Sequence, residues 1–310
     1  MQQETRQWKG VTQGGKIGQG TLMWLVSKID PVSIYWLLCC IVPFYMLFNK
    51  KAFRAVYRYF RRMEYPVWKT LLKTYRNHVL YAQCMLDKFS VYMGNSSFFD
   101  FGVQGEDDAK QSVCENRGLI IVSSHVGNFE LTGMLSQISQ QQDVFTLFQK
   151  RNRKFYIMVY GGETPVIQTQ RQKVLAKRGI TLIYAKKDMS HMLVVKNALE
   201  EGGIVGITCD RFEGSLKYET CRLLGSEVKF PIHAFAMAAH CRVPILSVFC
   251  MKAGRRRYQV YFKLLTEDRD TSVKVSEQIK RNVHAYVRML EERLHDYPEQ
   301  WFNFFEFWNK

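Results

Sequence analysis

Residues 118–137, GLIIVSSHVGNFELTGMLSQ, bear on the fold more directly than any other part of the chain. The apolar run LIIVS is typical of a buried strand, and FELTGMLSQ has the apolar spacing expected for a helix. Between them, Gly127 permits a tight turn and Asn128 is a suitable N-cap residue. A strand, a turn and a helix in this order indicate an open α/β sheet, in which sites form at the carboxyl ends of strands.

Apolar runs of the same kind recur along the chain and alternate with amphipathic segments. The runs predicted as strands are FFDFGVQG near residue 98, GLIIVSS at 118, DVFTLFQ at 143, GITLIYA at 179, GGIVGITC at 202, VPILSVFCM at 243 and YQVYFKLL at 258. The segments predicted as helices are FELTGMLSQISQQ, ETPVIQTQRQKVLAKR, DMSHMLVVKNALEE, IHAFAMAAHC and SVKVSEQIKRNVHAYVRMLEERLHDYP. This alternation predicts an α/β domain over residues 94–310, with a mostly parallel sheet flanked by helices.

Residues 1–93 are predicted to form an N-terminal membrane-associated helical region. Residues 32–48, VSIYWLLCCIVPFYMLF, contain no charged side chain, but 17 residues are the lower limit for a membrane-spanning helix. They either cross the membrane once or lie in one leaflet; a buried helix of a soluble protein is the alternative. Residues 50–76 then carry nine basic side chains and one acidic one. This stretch suits anionic lipid, or is an ordinary surface helix, and its charge places the remainder of the chain in the cytoplasm.

The net charge bears on the partners. The 310 residues include 44 Lys and Arg against 28 Asp and Glu, a formal net charge of +16. Such a charge attracts polyanions of several kinds. No nucleic-acid-binding motif accompanies it, so nucleic acid is not an expected partner. The eight cysteines lie mostly in apolar runs and are expected to be buried, reduced thiols. The sequence shows no cluster of metal ligands, and neither a metal nor another cofactor is expected.

His125 and Glu130 are the candidate catalytic pair. On a continuous helix, residues five apart point about 140° away from each other, so the two side chains meet only if the chain turns between them. Gly127 permits that turn. Glu130 is then expected to fix the tautomer of the imidazole, leaving the other ring nitrogen to accept a proton. A purely structural histidine is the alternative. A G-x-S-x-G elbow, a Walker A loop and a G-x-G-x-x-G loop are not found in the sequence.

The motif HVGNFE matches the H-x4-D/E motif of the lysophospholipid acyltransferase superfamily. The chain resembles the branch that contains the late acyltransferases of lipid A biosynthesis (LpxL/HtrB-like). The blocks that carry the resemblance are SSHVGNFE, FQKRNRKF, GITCDRFEGS with RLLGSEVKFPIHAFAMAAHCRVPILSVF, and YPEQWFNFFEFW. The segments WKGVTQGGKIG and DRFEG are closer to a branch encoded with aryl-polyene or flexirubin-type pigment genes, so the acceptor need not be lipid A.

The resemblance implies an acyltransferase at the cytoplasmic face of an inner membrane. It would take its acyl group from acyl carrier protein or acyl-CoA and bind anionic membrane lipid. His125 would be the general base and Glu130 its partner. The residues that would bind substrate are Asn128, Arg151, Asn152, Asp210, Arg211 and Gly214. A non-catalytic membrane or carrier-binding protein and an esterase on the same scaffold are the rival functions.

Two of the implied roles have structural alternatives. Arg211 would bind a phosphate or a phosphopantetheine arm, or else form an ion pair with Asp210 or Glu213. The C-terminal segment WFNFFEFWNK holds six aromatic residues in ten. These residues would line an interface or an acyl channel, or else they pack in the core.

Overall fold

The computed structural model describes residues 29–114, 117–132, 153–160, 165–177, 179–186, 188, 190–211, 217–265 and 273–308. Its helices are α1 Tyr35–Phe48, α2 Lys50–Arg62, α3 Val67–Tyr92, α4 Glu106–Cys114, α5 Phe129–Thr132, α6 Pro165–Ala176, α7 Ser190–Glu200, α8 His233–Cys241 and α9 Val275–Asp296. Its strands are β1 Asp100–Gln104, β2 Leu119–Ser123, β3 Phe155–Val159, β4 Ile180–Tyr184, β5 Ile204–Thr208, β6 Tyr218–Leu223, β7 Ser226–Pro231, β8 Ile245–Lys252 and β9 Arg257–Leu264. Short 3-10 turns occupy Pro31–Ile34, Ser96–Phe98 and Pro298–Gln300.

Seven of the described strands form one sheet, in the order β1-β9-β8-β2-β5-β3-β4. Neighbours are parallel except β8 and β9, which are antiparallel. All eight residues of β8 are buried, as expected for a strand covered on both faces. The predicted α/β fold with a mostly parallel sheet flanked by helices is confirmed, and β2, which leads to His125, lies near its centre.

Two apolar clusters cover the two faces of the sheet. Side chains alternate between faces along a strand, so Ile120 and Val122 of β2 belong to one cluster and Leu119 to the other. The first cluster also contains residues of α2, α7, α8 and α9, whereas the second contains residues of α1, α3, α4 and α6. The site at the end of β2 therefore stands on a rigid, three-layered body.

Several elements differ from the sequence prediction. β3, α4 and the antiparallel hairpin β6–β7 were not predicted. The hairpin alternates buried and exposed residues along β6, so it lacks the continuous apolar run by which the other strands were found. Of the predicted helix FELTGMLSQISQQ, the described part begins at Phe129 and extends to Thr132. The predicted strand DVFTLFQ lies outside the described residues.

The N-terminal helices pack on the body of the protein. α1 buries Tyr35 and Val42, while Trp36, Phe44 and Phe48 are exposed. Residues 31–48 are apolar enough, over 18 residues, to cross a membrane by length and composition. Cys39 and Cys40 on this helix are exposed, contrary to the expectation of buried thiols. The exposed face of α1 is thus as apolar as its packed face.

α2 is a basic amphipathic helix, as its sequence predicts. Val56 and Phe60 of α2 lie in the same apolar cluster as residues of β2 and β5. The predicted domain boundary at residue 93 falls between α2 and these two strands. That boundary stays a prediction. Asn49 separates α1 from α2 and caps α2 by accepting a hydrogen bond from the amide of Ala52 at 3.3 Å.

A buried polar cluster joins α1, α3, β8 and β9. Asp87 of α3 is fully buried and accepts hydrogen bonds from Tyr35 and Tyr258, and from Lys252 Nζ at 2.5 Å. The hydroxyl of Tyr258 accepts a further hydrogen bond from Asn128 Nδ2 at 3.3 Å. A buried charged group is tolerated only when it is paired and hydrogen-bonded. Since Tyr35 of α1 provides one of the hydrogen bonds to Asp87, the cluster fixes the start of α1 against the body.

Candidate active site

The chain turns sharply immediately after His125. Gly127 has φ +61°, and a Cβ atom at this position would lie 2.2 Å from the carbonyl oxygen of Cys250 in β8. The next amide, of Asn128, donates to that same oxygen at 2.7 Å. Only glycine combines this conformation with such a close approach, so Gly127 allows the turn that the sequence predicted.

The C-terminal segment holds the other side of the turn. The amide of Gly127 donates to the carbonyl of Gln300 at 2.8 Å, and the amide of Phe302 donates to the carbonyl of His125 at 2.9 Å. Trp301 and Phe302 are only 2% and 5% exposed. The aromatic residues at the start of this segment therefore pack in the core and support the site.

Asp210 is the partner of His125. Its Oδ1 lies 2.7 Å from His125 Nδ1, and its Oδ2 accepts the His125 backbone N–H at 2.9 Å. The two residues meet because β2 and β5 are parallel neighbours, so that their carboxyl ends lie side by side. The indole N–H of Trp301 and the amide of Asn303 also face Oδ2, at 3.4 and 3.5 Å. Asp210 is thereby held in one orientation against the imidazole.

Glu130, expected from the sequence to be this partner, has other neighbours. It accepts hydrogen bonds from Lys88 Nζ and from the hydroxyl of Tyr92, each at 2.8 Å, and Arg171 Nε lies 3.9 Å away. Lys88 and Tyr92 are four residues apart on α3 and so lie on one face of that helix. The expectation that Glu130 contacts His125 is therefore corrected. Asp210 binds Nδ1 of His125, and Glu130 binds Lys88 and Tyr92 of α3.

A strand-end histidine bonded to a buried carboxylate is suited to general base catalysis. In a comparison with known families, the profile described as bacterial lipid A biosynthesis acyltransferase matches residues 78–310. The chain belongs to this family. No curated protein matched the chain in a sequence search. Membership makes the protein, in broad terms, an acyltransferase of the lipid A type that acts on a lipid acceptor.

In this member of the lipid A acyltransferase family, burial sets the protonation state of His125. Burial lowers the pKa of His125, and the charge of Arg211 lowers it further, although Asp210 acts in the opposite direction. For Asp210, burial raises the pKa, but His125 and the hydrogen bonds from it prevail and the pKa is lowered. A neutral imidazole beside an ionised carboxylate results, which is the state that a general base requires.

Burial also acts on Glu130. Burial raises its pKa, but the charges of Lys88 and Arg171 and the hydrogen bonds from Lys88 and Tyr92 outweigh it, and the pKa is lowered to about 2. The Lys88 and Glu130 side chains are 4% and 12% exposed. Glu130 therefore remains ionised over the whole physiological range and compensates two largely buried cations.

The other predicted substrate-binding residues have different surroundings. Asn128 donates through its side-chain amide to the carbonyl of Cys84 at 3.0 Å and to Tyr258. Arg211 donates to Asn303 Oδ1 at 3.4 Å and to the carbonyl of Phe302 at 3.5 Å. Arg151, Asn152 and Gly214 lie outside the described residues. The described part of the site thus brings His125, Asp210 and Arg211 together, whereas the side chain of Asn128 holds the turn against α3 and β9.

Sequence reasoning missed several residues that the family member uses to build this site. They are Lys88, Tyr92, Arg171, Trp301 and Asn303. Lys88 and Arg171 resemble the many other basic residues of the chain, and only their burial distinguishes them. The YPEQWFNFFEFW block was a signal for the C-terminal residues, but it did not show that Trp301 and Asn303 contact Asp210.

Proposed function

We propose that this protein transfers a fatty acyl group from an acyl thioester, of acyl carrier protein or of CoA, to a hydroxyl or amine of a lipid acceptor, with His125 as general base. The hydrogen bond between His125 Nδ1 and Asp210 is the observation that carries the proposal. With Nδ1 donating to the carboxylate, Nε2 is the nitrogen that accepts a proton, and the imidazole is 17% exposed, which leaves it accessible.

In the proposed reaction the acceptor attacks the thioester directly. Nε2 of His125 removes the proton from the hydroxyl or amine as the new C–O or C–N bond forms, and Asp210 stabilises the resulting imidazolium. The tetrahedral intermediate then collapses, the C–S bond breaks, and the imidazolium returns the proton to the departing thiolate. The acyl group passes from donor to acceptor without a covalent acyl-enzyme, and neither a metal nor another cofactor takes part.

The remaining predicted residues receive supporting roles. Glu130 holds α5, and with it the end of the catalytic turn, against Lys88 and Tyr92 of α3. Arg211, which lies beside the buried dyad, binds an anionic part of a substrate. Arg151, Asn152 and Gly214 are proposed, on the family resemblance, to complete the binding site together with Asn128 and Asp210.

We place the enzyme at the cytoplasmic face of the inner membrane, held there by α1. Trp36, Phe44 and Phe48 of α1 and Trp68 and Leu71 of α3 expose apolar surface that suits lipid. Placement in one leaflet, rather than a crossing, is supported by the contacts at both ends of α1. Tyr35 binds Asp87 of α3, and the ring of Tyr45 lies 6.3 Å from that of His78, also in α3. α3 carries too many charges to enter the bilayer core.

A comparison of lipids and lipid-linked pigments tests the function. The experiment compares cells that lack the protein with cells that produce wild type, His125→Ala or His240→Ala. His240 is an exposed histidine of α8, and its variant serves as the control. An acylated species that appears with wild type and His240→Ala only is the expected result, and its structure distinguishes lipid A from a pigment acceptor. If folded His125→Ala produces the same species, His125 is not the base.

A thioester-release assay with purified protein separates transfer from hydrolysis. Transfer predicts that thiol release requires the lipid acceptor, whereas an esterase releases thiol without one. Binding of acyl carrier protein without any release would instead favour a non-catalytic carrier-binding protein. Parallel reactions with acyl carrier protein and with CoA identify the donor.

A further inference from the structure

A cavity of about 600 Å³ lies between α2, the β6–β7 turn and the C-terminal segment. Three arginines of α2, Arg58, Arg61 and Arg62, line one side of it. Trp301, Phe307 and Trp308 supply aromatic surface on the other. Ligand sites commonly combine an apolar surface with a few convergent polar groups in this way.

The arginines retain hydrogen-bonding capacity. Arg58 contacts Glu306 at 2.5 Å, Arg61 donates to the carbonyl of Tyr65 at 2.5 Å, and Arg62 donates to Ser226. A guanidinium group has five N–H donors, so among the described residues most donors of these three side chains have no protein acceptor. Glu64 and Glu306 also line the cavity, which leaves the lining with a formal excess of one positive charge.

Trp308 adds a second, independent indication of a ligand. Its indole N–H is buried and finds no acceptor among the residues that the structure describes. A buried donor without an acceptor is unfavourable, so such a group is usually satisfied by a partner. The guanidinium group of Arg62 stacks on the same indole ring, 4.5 Å from its centroid. An acceptor-rich group beside Arg62 would satisfy both side chains.

The position of the cavity connects the membrane-facing helix to the dyad. α2 follows α1 after a single residue, Asn49, so the arginines lie close in sequence to the apolar surface. At the opposite side, the cavity is lined by Trp301 and Asn303, both of which contact Asp210 Oδ2. A molecule that enters from a lipid layer would therefore reach the residues that hold the catalytic carboxylate.

We propose that this cavity binds the phosphate-bearing headgroup of the lipid acceptor, with the phosphate on Arg58, Arg61 and Arg62 and the apolar part on the aromatic surface. A phosphate offers several acceptor oxygens, and arginine binds it in a bidentate manner. The proposal rests on the proposed function, because it assigns a binding site for the acceptor of that reaction. The phosphate of the donor, in CoA, has the same chemistry and is the competing source.

Binding of a phospholipid probe tests the site without requiring catalysis. The full-length protein in neutral detergent micelles is titrated with short-chain phosphatidic acid, with CoA and with inorganic phosphate, and tryptophan fluorescence is followed. The test variant is Arg58→Gln, Arg61→Gln and Arg62→Gln combined. The matched control, Lys50→Gln, Lys51→Gln and Arg54→Gln combined, removes the same charge from exposed positions of α2 that do not line the cavity.

We expect phosphatidic acid to bind the control variant nearly as tightly as it binds wild type. Its affinity for the test variant should fall roughly tenfold or more, since hydrogen bonds to charged groups contribute that much. Trp308→Phe, which keeps a ring but removes the N–H, should weaken binding about two- to tenfold. Equal losses of affinity for phosphatidic acid in both triple variants would mean that only the general surface charge matters, and they would overturn the proposal. Tighter binding of CoA than of phosphatidic acid at these arginines would assign the cavity to the donor instead.

His125→Ala separates this proposal from the proposed function. The variant should bind phosphatidic acid as wild type does, because His125 does not line the cavity. If wild type catalyses transfer but the arginine variant binds phosphatidic acid normally, the site assignment fails while the function stands. If the arginine variant loses binding but no transfer is found for wild type, the function fails while the site stands.

Discussion

His125 Nδ1 and Asp210 Oδ1 are 2.7 Å apart, although 85 residues separate them in the chain. Asp210 also accepts the backbone N–H of His125, so a single carboxylate fixes both the ring and the main chain. Removal of its charge should therefore affect the tautomer of the imidazole as well as its orientation.

Asp210→Asn should lower kcat by about 10²- to 10⁴-fold, with a smaller effect on KM. An asparagine amide can donate to Nδ1 and so favour the tautomer in which Nε2 carries the proton and cannot act as a base. Steady-state kinetics of acyl transfer, together with a circular dichroism spectrum that establishes the fold, checks the prediction. Wild-type kcat in Asp210→Asn would mean that the dyad does not operate.

The pH dependence of kcat/KM should reflect the lowered pKa of His125. Since burial and Arg211 favour the neutral ring, activity should persist as the pH falls past the ordinary histidine pKa of about 6.5 and decline only below it. Arg211→Gln removes a positive charge, so it should raise this pKa and move the acidic limb to higher pH. Arg281→Gln, at an exposed position of α9, should leave the limb in place.

Glu130→Ala should destabilise the protein by about 3–5 kcal/mol, because Lys88 then remains buried without a counter-charge. Adding Lys88→Met to the same chain should restore part of the lost stability. Urea unfolding of the two single variants and the double variant measures the coupling. Additive effects of Glu130→Ala and Lys88→Met would show that the two side chains do not interact.

Gly127→Ala should lower stability and abolish transfer. Its φ of +61° alone costs an alanine about 1–3 kcal/mol, and its Cβ would lie 2.2 Å from the Cys250 carbonyl. Gly179→Ala is the matched control, because Gly179 has φ +70° but no atom of the described residues lies within 4 Å of a Cβ there. Thermal unfolding should show a clearly larger loss for Gly127→Ala. Equal losses would mean that the close approach to β8 is unimportant.

Tyr35→Phe should cost about 1–3 kcal/mol, because it leaves buried Asp87 short of one hydrogen bond. Tyr75→Phe also removes a hydroxyl between α1 and α3, but the hydrogen bond of this hydroxyl to the carbonyl of Cys39 is exposed to solvent. Its effect should stay within about 0.5 kcal/mol. Chemical unfolding in detergent compares the two, and similar losses would argue against a special role for the Asp87 cluster.

The sequence was sufficient for the features that depend on local patterns. Continuous apolar runs identified β2, β5 and β8, and the Gly127–Asn128 turn placed His125 at a strand end. The partner of His125 could not be found in this way, because it depends on β5 lying beside β2. Glu130 was favoured instead because its spacing from His125 is local and visible.

Burial decides the remaining differences. Lys252 ends an apolar strand, and nothing in its neighbourhood in sequence shows that it pairs with Asp87, 165 residues away. The same holds for Lys88, one of 44 basic residues, which is distinguished by its burial and by its contact with Glu130. The hairpin β6–β7 escaped detection because a half-exposed hairpin has a weaker apolar signal than a central strand.

The attachment of α1 to the body at Tyr35 has a consequence for substrate choice. α1 is 14 residues long, about 21 Å, and it is held at Tyr35 and again at Asn49, where α2 begins. With α1 in one leaflet, as proposed above, the level of this helix in the lipid would set the height of His125 above the acyl chains. Acceptors would then be sorted by how far their reactive hydroxyl or amine projects from the bilayer, before any contact with their chemical groups is made.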